Sequence, residues 1–257
     1  MKRAIVAILV VLLTSALLVS CAGAVIGSGK LKTEEYVFSD FNKVEVSSAF
    51  EFEIVQSDSY RISITADDNL FEHIQVTKEG NTLKIGIKTI SIQWPVTLKV
   101  VVTMPQLRGI DISGASKGSV SNFSSTENLD IEVSGASSLE LVEMSAGDVD
   151  FDISGAGKVI GDMTADDVDF DVSGASTVQL EGSASNIVAD VSGASRMKLA
   201  GFTVNNADVS LSGASNGTVN LSGKLDANLS GASKLEYIGE PTMGAINTSG
   251  ASTLSKR

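Results

Sequence analysis

A chain of 257 residues with 31 acids against 19 bases carries a formal charge of −12. That sign argues against nucleic acid as a partner and against docking on anionic lipid by charge, and leaves cation binding or plain solubility open. One cysteine allows no intrachain disulfide, one histidine allows no His–His zinc pair, and 24 glycines with few aromatics suit a punctuated β-structure better than a helical bundle.

Residues 1–20 read as a targeting segment. Lys2 and Arg3 form a positive start, and Ala4–Leu18 is an apolar run closing on small residues. The run is shorter than the ~20 apolar residues that cross a bilayer, and an uncleaved transmembrane anchor is the competing reading. Leu18-Val19-Ser20-Cys21 resembles the lipobox of bacterial lipoproteins. The resemblance implies that Cys21 becomes the acylated first residue, so that the membrane is a partner through a lipid anchor of more than one chain. Without residues 1–20, 17 bases face 31 acids and the charge becomes −14. Residues 21–32 are small, Gly- and Ser-containing and aperiodic, and read as a tether.

Residues 33–109 alternate polar and apolar side chains in short runs, which predicts strands with one buried face. Val44-Glu45-Val46, Phe50-Glu51-Phe52-Glu53-Ile54 and Leu83-Lys84-Ile85-Gly86-Ile87 are examples. Glu79-Gly80-Asn81 predicts a turn, and the stretch from Asp67 to Ile74 is the one place where a short helical turn fits. Lys43–Val55 reads as a diverged first copy of the repeat that fills the C-terminal half, with Ser48 in place of a glycine.

Residues 110–257 are that repeat. Ser-Gly-Ala recurs eight times, opening at Ser113, Ser134, Ser154, Ser173, Ser192, Ser212, Ser230 and Ser249. One and three places before each serine the residues are apolar in nearly every copy, as in Ile153/Phe151 and Val172/Phe170, and must point inward. Two and four places before stand mostly acids and amides, which face water. A unit of this length has no ten-residue run of period 3.6 and cannot close a core alone. Stacking closes one: each strand pairs with its equivalent in the next copy. The predicted fold is an all-β parallel β-helix with ~20-residue coils about 4.8 Å apart, a stack of roughly 34 Å over eight coils. In the corner, Gly supplies the turn, Ala is expected to pack inside it, and the serines to bond along the stack. A bulky residue at Gly174 or Ala175 is therefore expected to destabilise the solenoid.

The order of motifs resembles the head GIN domain family of auto-transporter adhesins, over about Glu34 to Arg257. It runs from Phe41-Asn42-Lys43-Val44-Glu45-Val46-Ser47-Ser48-Ala49-Phe50 through Ile64–Leu70, Gly80–Ile85 and Val100–Leu107 into the Ser-Gly-Ala copies. The resemblance implies a right-handed β-helix on secreted or lipid-anchored bacterial proteins. It offers no catalytic residues.

Asp130, Asp150 and Asp169, with Glu132, Asp152 and Asp171, are expected to stack as two ladders of like charge. Ca²⁺ held by their carboxylate oxygens would relieve the repulsion. The alternative is a solvated face, screened by salt and by Lys158 and Arg196 nearby in sequence. Acid pairs on a β-helix also suit polysaccharide cleavage, but a catalytic pair is singular and of unlike pKa, whereas these recur in coil after coil. His73, the one candidate base, lies outside the repeats, and the expectation is no enzyme. Trp94-Pro95 reads as packing at the edge of the core, with an exposed aromatic contact as the alternative. The function read from the sequence is a cell-envelope, lipid-anchored module facing outside the cytoplasm, contacting a surface glycan or protein. The alternatives are a carbohydrate-binding or carbohydrate-cleaving β-helix, and a signalling accessory that acts by protein contact.

Overall fold

The computed structural model describes residues 24–88, 91–93 and 95–257. Cys21 and Trp94 lie outside them. Among the described residues no helix is long and apolar enough to cross a membrane.

The chain winds between two sheets, one of 11 strands and one of 12. The 11-stranded sheet takes the strand before each Ser-Gly-Ala corner, and the 12-stranded sheet takes the strand after it. Along the repeats each strand lies parallel to its counterpart one coil away: Val149–Ile153 pairs with Leu129–Val133 on one side and with Asp167–Val172 on the other. Alternation in sequence becomes alternation in burial, as the strict exposed–buried pattern of Asp167–Val172 shows. The inward columns fuse into one core, in which Phe151 and Phe170 stack at 4.9 Å between ring centroids. Such a pair contributes about 0.5–1.5 kcal/mol beyond the area it buries.

Ser-Gly-Ala spacing varies from 18 to 21 residues, and the two sheets absorb that variation unequally. From Gly109–Ile112 to the strand Lys224–Leu229 the 11-stranded sheet keeps unbroken register. The 12-stranded sheet slips between Leu141 and Met144, between Gln179 and Glu181, and between Lys198 and Thr203. Bulges of this kind let a strand carry extra residues without losing its partner.

The N-terminal end is closed differently. Lys43–Val46 and Glu51–Gln56 form a first coil, in register with Gly109–Ile112 and Lys117–Ser121. Beyond it, Thr82–Ile87 turns back through a hairpin, with Gly80 at φ +60°, onto antiparallel Ile74–Glu79. In the other sheet, Leu98–Met104 is followed by antiparallel Arg61–Asp67 and Leu31–Tyr36. The short helical turn is a 3-10 turn, Asp68–Leu70, whose Leu70 is fully buried.

The stretch read as a tether carries structure of its own. Val25–Ile26 pairs with Ile92–Gln93, and Leu31 already belongs to a strand. The buried carboxylate of Asp67 holds this segment down, accepting hydrogen bonds from the backbone N–H of Gly29 (2.7 Å) and of Thr97 (2.8 Å). Asn69 adds two more, accepting from Ser28 N–H and donating to the Ile26 carbonyl.

Candidate functional site

The Ser-Gly-Ala corner is solvent-facing, and this reverses part of the sequence reading. Ala115, Ala136, Ala175 and their equivalents are exposed, and the serine that follows the alanine in most copies points inward. Ser116, Ser137, Ser176, Ser195, Ser215 and Ser233 are buried there; in the diverged first copy Phe50 holds the same place. Alanine and serine are close in size, so side-chain volume gave no reason to prefer one for the interior. Ser215 shows the bonds open to this position: its hydroxyl lies within donating distance of two carbonyls, those of Ser212 (2.8 Å) and Val191 (3.2 Å), and its one proton serves either. The hydroxyls of Ser116, Ser137, Ser176 and Ser195 are buried without a partner.

Glycine is required on two counts. At Gly174 the backbone has φ +77°, and the Gly155 carbonyl oxygen stands 2.3 Å from where a Cβ would be. That close approach continues the backbone ladder round the corner, with Ala175 N–H donating to the Gly155 carbonyl (2.8 Å) and Ala194 N–H to that of Gly174 (2.7 Å). In the first copy Ser48 adopts the same left-handed backbone, at φ 67°, and Ala49 follows at 62°.

The opposite corner is held by side chains. The Asp148 N–H donates to Asn128 Oδ1, and the Asp167 N–H to Asp148 Oδ1. Asn186 Nδ2 donates to Asp167 Oδ1 (2.7 Å), Asn206 Nδ2 to Asn186 Oδ1 (2.8 Å), and the Lys224 N–H to Asn206 Oδ1 (2.9 Å). Sequence reasoning missed this ladder, whose only signal was an Asp or Asn six residues before most of the corner serines.

The structure does bring the six predicted acids together. Asp130, Asp150 and Asp169 are direct neighbours, as are Glu132, Asp152 and Asp171. All six line one shallow depression over Ile131 and Phe151. Asp167, Asp190 and Asp208 extend the same acidic face. Burial, and then the charges of Asp150, Asp190 and Asp171, hold the Asp169 carboxyl above the ordinary range. Burial, followed by Glu132 and Glu45, does the same to Asp111.

Ca²⁺ takes six to eight oxygens arranged around it. These acids stand in straight outward rows, and among the described residues no three acid, imidazole or thiol side chains converge to hold a metal ion. The rows suit a diffuse cation atmosphere better than a coordination site. Lys158 and Arg196 do not screen them, because both sit in strands of the other sheet, past the corner where the chain reverses. The acidic sheet carries lysines of its own that pair with acids: Lys43 lies 2.6 Å from Asp130, Lys84 3.3 Å from Glu45, and Lys224 2.7 Å from Asp226. His73 lies just before the outermost strand of the capped end, 3.5 Å from Glu72, outside the corner serines.

Residues 40–241 match the family described as "Putative auto-transporter adhesin, head GIN domain". The chain belongs to that family. Solved structures share its fold. A putative adhesin from Parabacteroides distasonis superposes with a TM-score of 0.80 at 21% identity, over 91% of this chain and 100% of that one. One from Parabacteroides merdae gives 0.79 at 19% identity, over 92% and 100%. A third, described as a putative lipid binding protein from Parabacteroides distasonis, gives 0.69 at 17%, over 91% and 99%. Two curated proteins named elongation factor P, from Dictyoglomus thermophilum and Dictyoglomus turgidum, are 35% identical over 96 residues, 34% of this chain. The chain spans about half the length of those two, 52%, and a match so partial brings no activity with it.

Proposed function

We propose that this head GIN domain protein is an extracytoplasmic contact module, anchored to the cell envelope by lipid at Cys21 and engaging a surface glycan or protein along its sheets. One observation carries the reading. The outward chemistry repeats in coil after coil, with acid facing acid across paired strands, so that no group is singled out as a reaction centre would require. A surface of that kind supports many weak, equivalent contacts with an extended partner. The family description and the names of the structural neighbours support adhesion in the same coarse terms.

Two experiments test the reading separately. Palmitate labelling in a bacterial host should mark the full chain, and Cys21→Ser should abolish the label and release the protein from the membrane fraction. Retention of Cys21→Ser on the membrane would refute the lipid anchor. The chain from residue 22 onward, probed on arrays of glycans and matrix proteins, should bind a subset of polymeric ligands. Release of reducing ends from pectin, alginate or chitin oligomers would instead establish the carbohydrate-cleaving alternative.

A further inference from the structure

We infer that two copies of this chain pair side by side through their Ser-Gly-Ala corners, with the two solenoids parallel and related by a two-fold axis along the stack.

The exposed corner is flanked on its two sides by rows of opposite charge. Two places before the corner serine stand Asp111, Glu132, Asp152, Asp171 and Asp190, on the 11-stranded sheet. Four places after it stand Lys117, Lys158, Arg196 and Lys234, on the 12-stranded sheet, all exposed. The bases alternate with Ser138, Thr177 and Asn216, so they recur every second coil, about 9.6 Å apart. Between the rows the corner presents only Ser, Gly and Ala.

Three coils carry an acid and a base together: Asp111 with Lys117, Asp152 with Lys158, and Asp190 with Arg196. Among the described residues none of these three forms an ion pair with its coil-mate, and Lys158 and Arg196 pair with no acid at all. Lys117 reaches Glu51 at 3.5 Å, and Lys234 reaches Glu236 at 2.5 Å.

A second copy of the chain satisfies both rows at once. Turning it by 180° about the stack axis brings its corner to face this one, with its base row opposite this acid row and the reverse. Coil levels coincide, so each of the three pairs forms twice: Asp152 meets Lys158 of the other copy while Lys158 meets Asp152. A two-fold axis across the stack would instead set acid row against acid row. Self-complementarity is what an isologous contact demands, and the uncharged corner lets the backbones approach. Opposed charge rows fix orientation and register more than they add affinity, and the contact should weaken as salt rises. The inference does not depend on the lipid anchor.

The test is a cysteine placed at the centre of the corner row. In the full chain in lysates of expressing cells, Ala175→Cys should give a disulfide-linked dimer at low salt under mild oxidation. The unmodified chain, with Cys21 alone, and Asn205→Cys on the opposite corner should not. Adding D152K/D190K to Ala175→Cys should abolish the link, and so should adding K158D/R196D. Co-expressing those two variants should restore it as a heterodimer, because every facing pair is then again of opposite sign. A link no stronger than in Asn205→Cys, or no restoration on mixing, would overturn the pairing. Circular dichroism of each charge variant separates loss of contact from loss of fold.

Discussion

The two corners of each coil do the same job by different chemistry. At the Ser-Gly-Ala corner the backbone bonds to the backbone of the next coil, and Gly is needed because a neighbouring carbonyl occupies the Cβ position. At the opposite corner Asp and Asn side chains bridge the coils, and the chain tolerates different lengths there. A backbone solution holds the sequence nearly fixed, with Ser48 in the first copy as the departure. A side-chain solution accepts several, which is why one corner can be read from the sequence at sight and the other cannot.

The contrast is broken most severely at Gly174. Gly174→Val combines a left-handed backbone with a blocked Cβ, and should lower stability by roughly 2–5 kcal/mol in chemical denaturation. Ala175→Leu, one residue on but exposed, should stay within about 0.5 kcal/mol of the parent. Equal losses at the two positions would return alanine to the interior. At the side-chain corner, Asn186→Ala removes one hydrogen bond donated to Asp167 and one accepted from Asn206, and should cost about 1 kcal/mol.

Smaller effects sharpen the same contrast. Ser48→Gly supplies the residue that this backbone favours but forfeits a bond from the Ile87 N–H at 3.3 Å, so a gain of roughly 0.5–1 kcal/mol is expected. On the acidic face, Asp169 has a raised pKa, so folding opposes its charge above that value and the opposition fades as pH falls and the folded state takes up the proton. Asp169→Asn should therefore stabilise slightly at pH 7, by no more than about 0.5 kcal/mol, with the gain disappearing below the ordinary carboxylate range. A variant whose advantage is independent of pH would point to packing instead of charge.

The repeat, its inward columns and the first diverged copy were legible because each is written in residues that tolerate few substitutes. Leu31–Tyr36 was harder. As an edge strand it pairs on one side only, with Arg61–Asp67, and its Lys-Thr-Glu-Glu core gives little apolar alternation. The six acids were placed together correctly from spacing alone. Their relation to Lys158 and Arg196 was not, because nearness in sequence across a corner means opposite sheets. The base row beside the corner escaped notice for the same reason.

Every surface described for this protein depends on the coils stacking in register. Engineered cysteine pairs on the acidic sheet test that directly. Asp152→Cys with Asp171→Cys occupies paired positions in adjacent strands, close enough for a disulfide. Asp152→Cys with Asp190→Cys is two coils apart, about 9.6 Å. The first pair should oxidise to an intramolecular disulfide with the fold retained, and the second should stay reduced. Equal oxidation of both pairs, or of neither, would contradict the stacked solenoid.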